Sequence, residues 1–210
     1  GDVYKRQAEY VSQKIKFNHG IVVVPKEVTP KLNKKIFEII NAGHPLPNRN
    51  SLKAGKNLVE FLNKTQKNDF VLFLISGGGS ALSVYPNSIS LRDKILVNQE
   101  LIRSGANINE IACVRKHLSL IKGGRLTQNM NCKGISFVVS DVIGDDITSI
   151  SSGMTSYDKS TFTDALKILK KFSLQHKLPN STLSILKSGV NGNIPAVSYT
   201  HLTLPTTYTV

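Results

Sequence analysis

Apolar residues in this chain occur in two patterns that alternate along its length. Short continuous runs are the first pattern, and residues 70–75 (FVLFLI) are the clearest of them. A run without polar interruption is typical of a strand buried on both faces in a parallel sheet. The β-branched run in residues 19–25 (HGIVVVP) and the run in residues 134–141 (GISFVVSD) predict two further strands.

The second pattern places apolar residues at intervals of three and four, which predicts amphipathic helices. In residues 31–43 (KLNKKIFEIINAG), Leu32 and Ile36 begin one such face and Gly43 ends it. We therefore predict a helix there, capped by Thr29. Further helices are predicted from residues 51–66, 91–104, 107–121 and 159–172, and residues 8–16 resemble the end of another.

Strands that alternate with helices predict an α/β domain. We expect three layers (α/β/α) around a mostly parallel, Rossmann-like sheet. In such sheets, ligands bind beyond the carboxyl ends of the strands. The loops that follow the strands are therefore where functional residues are expected.

Composition agrees with a globular protein and gives no sign of a membrane partner. Apolar residues make up 40% of the chain and charged residues 20%, close to the averages for globular domains. No window approaches the roughly eighteen consecutive apolar residues of a membrane span. The two cysteines, Cys113 and Cys132, show no metal-binding spacing, so we expect a reducing, cytoplasmic location.

The net charge of +13, from 27 basic and 14 acidic residues, has two interpretations. One is a nucleic-acid footprint, and the other is a lysine-rich solvated surface. Because the lysines are scattered and no aromatic RNA-binding motif accompanies them, we favour the surface and expect no nucleic-acid partner. A positive field would also attract a small anionic substrate.

The two ends of the chain share an origin at the level of DNA. Residues 2–7 (DVYKRQ) back-translate to a sequence whose reverse complement, in a shifted frame, encodes residues 197–202 (VSYTHL). This inverted repeat resembles a transposon end used in sequencing adapters. We therefore expect residues 1–7 and 197–210 to be adapter-derived tails, and residues 8–196 to be part of a longer natural domain.

A glycine-rich loop follows the strand at residues 70–75. Glycines at this point allow positive φ angles and present backbone N–H groups to an anion; a tight turn packed against a neighbour is the alternative. The loop fits neither the dinucleotide fingerprint, because position 82 is leucine, nor the P-loop, because the chain has no GK[ST] tripeptide. Its residues are Ser76, Gly77, Gly78, Gly79 and Ser80.

A second candidate is the basic stretch at residues 114–126 (VRKHLSLIKGGRL). Arginine and lysine are the side chains that grip carboxylates and phosphates. A solvated basic helix that ends at two glycines is the alternative interpretation. The candidate donors around Gly123 and Gly124 are Arg115, Lys116, His117, Lys122 and Arg125.

Acidic residues follow the strand at residues 134–141. Asp141, Asp145 and Asp146 would repel one another unless a cation or basic partners neutralised them. Capping of a following helix is an equal alternative for Asp145 and Asp146, whereas Asp141 is the best candidate for a metal ligand or general base. The loop at residues 43–48 (GHPLPN) has two prolines that would aim His44 into a cleft, although a plain connection is equally economical.

Taken together, these segments resemble the N-terminal domain of the two-domain glycerate 2-kinases, whose C-terminal domain is called MOFRL. The similarity extends over about residues 18 to 175, nearly the whole natural part of the chain. It is carried, in this order, by residues 43–62 (GHPLPNRNSLKAGKNLVEFL), 72–82 (LFLISGGGSAL), 114–126 (VRKHLSLIKGGRL) and 140–166 (SDVIGDDITSISSGMTSYDKSTFTDAL).

The resemblance implies ATP- and Mg²⁺-dependent phosphorylation of the 2-hydroxyl of D-glycerate, in a cleft between two domains. In that family, electrostatic positioning would supply most of the catalysis. It implies catalytic roles for Asp141 and Lys122, and Mg²⁺ binding by Asp141 and Asp145. Phosphate or substrate would be bound by Ser76, Gly77, Gly78, Gly79, Ser80, His44, Lys116, His117 and Arg125.

The chain also departs from the family pattern. Several prolines of the family's "SDVPGDD" and "ASGPTVPDPTTF" are missing. The family's Gly-Lys motif would precede residue 8 and the MOFRL domain would follow the end, so we expect the chain alone to lack kinase activity. A homodimer is left open. The departing residues are Ile143, Ser151, Met154, Tyr157 and Lys159.

Two other functions remain as alternatives. Relatives of this family have been called hydroxypyruvate reductases, but the sequence has no nicotinamide fingerprint. The positive charge also allows a non-catalytic module that binds anions or nucleic acid. Loss of NADH, release of ADP and salt-sensitive retention of DNA would distinguish the three.

Overall fold

The structure, a computed structural model, describes residues 3–128, 130–139 and 147–194, with side chains from residue 7 onward. Helices and strands alternate through the first two thirds of the chain, and helices follow. In order they are α1 (Val3–Lys14), β1 (Gly20–Pro25), β2 (Phe37–Ala42), α2 (Arg49–Asn63), β3 (Phe70–Ile75), α3 (Gly79–Leu82), α4 (Leu91–Arg103), α5 (Ile108–His117), β4 (Lys133–Val138), α6 (Phe162–Lys171) and α7 (Asn180–Val190).

All described strands pair in parallel, as the sequence predicted. β1 pairs with β2, with Val22 opposite Ile39, and β3 pairs with β4, with Ile75 opposite Val138. The α/β class is therefore confirmed. Within the described residues these are two pairs, and a cavity of about 240 Å³ with mainly apolar walls lies between β1 and β3.

The helix predicted for residues 31–43 is wrong, because residues Phe37–Ala42 form strand β2. The spacing of Ile36, Ile39 and Ile40 suits a helical face, yet a short β-branched run suits a strand as well. A turn decides the outcome: the amides of Ile36 and Phe37 both donate to the carbonyl of Asn33. The chain then enters the sheet beside β1, where its isoleucines face β-branched neighbours.

Helix α2 fixes the His44 loop through its first turn, and its prediction is confirmed. Asn48 is the N-cap: its side chain accepts from the amide of Ser51, 3.0 Å away, and Ser51 Oγ accepts from the amide of Asn48 at 3.1 Å. Ser51 Oγ also accepts from the amide of Gly43, at 3.2 Å. The loop that carries His44 is thus tied to the helix at both of its ends.

Helices α4 to α7 share one core, and three of these four helices were predicted. α7 was not assigned from the sequence. α5 was expected to continue to residue 121 but ends at His117, because the amide of Leu120 donates to the carbonyl of Tyr85 instead. This change of direction leads the chain into the basic loop. The buried residues of the core include Val97, Leu101, Ile111, Val114, Leu118, Ala165, Leu169, Leu174 and Leu186.

Helix α1 includes residues 3–7, which the sequence analysis had set aside. Among the described helices, none has the length and apolar character that crossing a bilayer would require.

The contact between α2 and the chain after α3 gives a stability prediction. A side chain at Gly55 would overlap the carbonyl oxygen of Val84, a fully buried residue. A glycine-to-alanine change inside a helix normally adds about 0.5–1 kcal/mol of stability, but overpacking costs about 1–3 kcal/mol. We expect Gly55→Ala to lower the free energy of unfolding by about 1–2 kcal/mol in urea titrations. Lys56→Ala, on the exposed side of the same helix, should change it by less than about 0.5 kcal/mol; a more stable Gly55→Ala would contradict this packing.

Candidate active site

The glycine loop at the end of β3 turns sharply into helix α3. Gly78 has a φ of 77°, a left-handed conformation that favours glycine. Gly79 has no room for a side chain, since an added Cβ would overlap Ser151 Oγ. The amides of Gly77 and Gly78 donate to no acceptor among the described residues. They remain available to a ligand.

The segment from Ser149 to Gly153 packs directly on this loop. Ser151 Oγ donates to the carbonyl of Ser76 at 2.8 Å, and the hydroxyl oxygens of Ser80 and Ser152 lie 2.7 Å apart. Ser151 and Ser152 have φ angles of 52° and 58°, which non-glycine residues rarely adopt and which often mark functional sites. The left-handed backbone therefore places two serines against the glycine loop.

The basic loop after α5 joins the same cluster through its backbone. The amide of Gly123 donates to the carbonyl of Ser152 at 3.1 Å, and the amide of Gly124 donates to Gly153 at 2.8 Å. Lys122, just before them, is completely buried, and its Nζ donates to the carbonyl of Ser151 at 3.4 Å. Two segments that were predicted separately, the glycine loop and the Lys-Gly-Gly turn, are thus brought together.

Lys122 is an unusual residue in this cluster because no carboxylate pairs with its amine among the described residues. Burial, with repulsion from Lys94 and Arg115, holds the pKa of Lys122 well below its ordinary value of 10.5. The charged form of Lys122 is therefore disfavoured relative to that of an exposed lysine.

A cavity of about 250 Å³ opens beside the glycine loop. One part of the lining holds Gly77, Gly78 and Ser80, and the exposed His44 lines the cavity as well. Another part of the lining, the Lys94–Arg115 wall, carries Lys94, Asn98 and Arg115. The described lining residues include no carboxylate, so the cavity has the character of an anion site. The apolar cavity between β1 and β3 lacks such cations.

The cations of this wall are held by α4 and α5. Arg115 Nε donates to Asn98 Oδ1 at 2.6 Å, and burial lowers the pKa of Arg115. Burial, followed by repulsion from Arg115, lowers the pKa of Lys94 from 10.5 to about 8. Lys94 and Asn98 stand one helical turn apart and so share a face of α4.

Sequence reasoning missed Lys94 and Asn98, although a signal was present. In α4 the buried residues are Val97 and Leu101, and the polar residues at 94 and 98 occupy the same helical stripe. A lysine and an asparagine inside an apolar stripe are exceptions to the helical pattern, and here they face the cavity.

Three of the predicted ligand-binding residues lie elsewhere. Lys116 forms an ion pair with Asp158 (Nζ to Oδ1, 3.2 Å), in which both side chains are more than 90% buried. His117 is buried: its Nδ1 lies 2.9 Å from the carbonyl oxygen of Cys113, its ring contacts Phe162 edge-on, and burial lowers its pKa. Arg125 also lies over the Phe162 ring, with its Cζ 5.7 Å from the ring centre. The structure does not bring these three to the cavity, and Lys116 and His117 are explained by packing.

The predicted metal ligands Asp141 and Asp145 lie outside the described residues, as does Asp146. In the described part of the chain, no group of three His, Cys, Asp or Glu side chains is placed to hold a metal ion.

Comparison with known proteins places this site in a family. A family profile described as a domain of unknown function (DUF4147) matches residues 4–187. The chain belongs to the DUF4147 family. A crystal structure of a Pyrococcus horikoshii protein superposes with a TM-score of 0.91 at 35% identity, covering 98% of this DUF4147 chain and 47% of that one. A crystal structure of glycerate kinase from Thermotoga maritima matches with a TM-score of 0.77 at 38% identity, over 87% of this chain and 44% of that one.

Sequence relatives of this DUF4147 domain are named mainly as kinases. A glycerate 2-kinase of Pyrococcus horikoshii is 42% identical over 76% of this chain and 37% of its own length. A D-glycerate 2-kinase of Thermotoga maritima is 44% identical over 66% and 34%. A protein of Agrobacterium vitis with the provisional name hydroxypyruvate reductase is 42% identical over 73% and 35%. The chain therefore spans little more than a third of the length of these relatives.

The buried Lys122, with its lowered pKa, predicts an unusual pH dependence of stability. In the unfolded chain this lysine keeps its proton up to about pH 10.5, whereas folding removes it at lower pH because its pKa is lowered. Folding therefore requires release of the Lys122 proton, and the free-energy cost of this release falls as the pH rises. We expect Lys122→Met to raise the free energy of unfolding at about pH 7, and the gain to fall by up to about 1.4 kcal/mol per pH unit toward pH 10.

Urea titrations at about pH 7 and about pH 9 measure this difference. Lys116→Met is the matched control: it removes the cation from the buried ion pair with Asp158, a carboxylate that also accepts hydrogen bonds from Ser160, and should destabilise the protein by about 2 kcal/mol or more. A Lys122→Met gain that does not change with pH would show that the lysine is protonated in the folded state.

Proposed function

We propose that this DUF4147 chain is part of an ATP-dependent glycerate 2-kinase, which transfers a phosphoryl group to the 2-hydroxyl of D-glycerate and forms 2-phosphoglycerate. The observation that carries the proposal is a cavity lined by the glycine loop and by Lys94 and Arg115, in which the amides of Gly77 and Gly78 have no acceptor among the described residues. Relatives named glycerate 2-kinase support it. Because the chain spans only part of their length, the activity belongs to the whole protein.

Phosphoryl transfer suits such a cavity for an electrostatic reason. Negative charge is spread over the transferred group, and catalysis consists mainly of positioning it and stabilising its charge. The amides of Gly77 and Gly78 and the hydroxyl of Ser80 would bind phosphoryl oxygens. Lys94 and Arg115 would hold the opposite, acidic end of the substrate.

Lys122 takes a different role from the one the sequence suggested. It lies behind the cavity wall, bonded to the Ser151 carbonyl, and does not line the cavity. We assign it as a positioning residue that supports the Ser149–Gly153 segment against the glycine loop. An anion in the cavity would raise its lowered pKa and so draw a proton onto it.

ATP and Mg²⁺ complete the proposal. Carboxylate oxygens are ligands that Mg²⁺ prefers, and we propose Asp141 and Asp145 for this role. What supports it is the position of β4: Val138 pairs with Ile75, and the amide of Val139 donates to the Ile75 carbonyl at 2.8 Å. The described part of this strand and Val139 therefore run beside Ile75, the residue that precedes the glycine loop, and the acidic residues follow in the sequence. A cytoplasmic location, a second domain and a homodimer stay predictions.

A hydroxypyruvate reductase is the second candidate, since one group of relatives carries that provisional name. The absence of a dinucleotide fingerprint from this sequence speaks against it. The two reactions consume different reagents, so one experiment separates them.

A chimera tests the function directly. Residues 8–194 of this chain would replace the aligned segment of the Pyrococcus horikoshii glycerate 2-kinase, to which the chain is 42% identical. We expect the chimera to form 2-phosphoglycerate from D-glycerate and ATP, followed by ³¹P NMR, without oxidising NADH in the presence of hydroxypyruvate.

The matched control is the chimera with Ser80→Ala, which removes a proposed phosphoryl ligand and should lower kcat/KM by about tenfold or more. A folded chimera without phosphoryl transfer, or one that oxidises NADH, would refute the kinase proposal.

A further inference from the structure

We propose that Arg115, oriented by Asn98 and accompanied by Lys94, is the subsite that binds the carboxylate of the hydroxy acid. This inference rests on the proposed function, because it assigns one end of the substrate to one wall of the same cavity. The names of the relatives give no role to these residues, and Lys94 and Asn98 were not among the site residues predicted from the sequence.

The orientation of Arg115 is the first argument. Its Nε donates to Asn98 Oδ1 at 2.6 Å, so one edge of the guanidinium is already used. Its two terminal nitrogens have no partner among the described residues. They form the end-on fork that pairs with both oxygens of a carboxylate. Asn98 therefore leaves Arg115 with one free face, suited to a flat, two-oxygen anion.

The second argument is charge. Burial, followed by repulsion from the nearby Arg115, lowers the pKa of Lys94 to about 8. No carboxylate among the described lining residues compensates them. Two cations that share a partly buried wall repel each other, and a bound anion relieves that repulsion.

The size of the cavity selects a small ligand. Its volume of about 250 Å³ lies below the roughly 300–1,000 Å³ of drug-sized and cofactor sites. A three-carbon acid fits, with its carboxylate at Arg115 and its hydroxyl toward Ser80 and the glycine amides. Pro45, Pro47 and Ile108 are also among the lining residues.

Inorganic phosphate is the other anion that such a wall would accept, and the experiment separates the two. The purified 210-residue chain is titrated by calorimetry with D-glycerate, glycerol and inorganic phosphate at about pH 7. We expect D-glycerate to saturate the site and glycerol, which lacks the carboxylate, to show no saturable binding. D-glycerate should also bind at least about tenfold more tightly than phosphate, since phosphate cannot reach both walls.

Variants of the chain test which residues bind the carboxylate of D-glycerate. Arg115→Lys keeps the charge but loses the fork, and should weaken D-glycerate binding by about tenfold or more; Lys94→Met should do the same. Asn98→Ala removes the hydrogen bond that orients Arg115, together with an amide that lines the cavity, and should weaken D-glycerate binding by about three- to tenfold. This variant tests the same step if Arg115→Lys lowers the melting temperature. Arg92→Lys, on the exposed side of α4, should bind as the unchanged chain does.

Proton uptake on D-glycerate binding distinguishes direct participation of Lys94 from a merely structural role, which would not change the uptake. A carboxylate beside Lys94 raises its pKa from about 8, so at about pH 8.5 binding should take up a proton. Calorimetry in two buffers of different ionisation enthalpy measures this uptake, and Lys94→Met should reduce it.

Three results would overturn the proposal: unchanged D-glycerate affinity in folded Arg115→Lys, tighter binding of phosphate than of D-glycerate, or no saturable binding of D-glycerate by the unchanged chain. The chimera keeps this inference separate from the proposed function. If it phosphorylates D-glycerate with a KM that Arg115→Lys does not change, the carboxylate subsite fails and the kinase stands. If D-glycerate binding depends on Arg115 but the chimera transfers no phosphate, the kinase fails and the subsite stands.

Discussion

The structure around the cavity depends on one contact, the docking of the Lys-Gly-Gly turn onto the left-handed Ser151–Gly153 backbone. Two main-chain hydrogen bonds make this contact, from Gly123 to Ser152 and from Gly124 to Gly153. The same segment then reaches the glycine loop through Ser151, whose hydroxyl bonds the Ser76 carbonyl. Because backbone groups carry most of these bonds, the geometry depends on φ angles that only glycine, or strained serine, adopts.

This arrangement lowers stability, because it places basic side chains close together where little water can solvate them. Lys122 is completely buried, and Lys94 and Arg115 lie close enough to repel it. Part of the stability must come from elsewhere, and the helical core from α4 to α7 is the main source, with many fully buried aliphatic side chains. The same helices, α4 and α5, carry the cations. The residues that stabilise the domain therefore also hold the strained and charged site rigid, as function commonly requires.

The sequence predicted helices and strands best where the apolar residues fitted only one of the two periods, helical or extended. The uninterrupted run at residues 70–75 is a strand, and the long period after Ser51, bounded by Asn48, is a helix. The failure at residues 31–43 has a physical cause: the spacing of Ile36, Ile39 and Ile40 is compatible with a helical face and with a short strand, and pairing with β1 decides between them. The end of α5 was also misplaced, since the hydrogen bond that redirects Leu120 comes from Tyr85, far away in the chain.

The sequence by itself determined the family resemblance, the α/β class and the loops in which chemistry was to be sought, because glycines, prolines and clustered charges act locally on the backbone. Which charged residues share a cavity was decided only by the tertiary structure. Lys116 and His117 are one and two residues from Arg115, yet the rotation of a helix by about 100° per residue sends them to Asp158 and Phe162 and leaves Arg115 at the cavity. Lys94 and Asn98 reach the same cavity from another helix. Because they are far from Arg115 in the sequence, no local pattern could have grouped them with it.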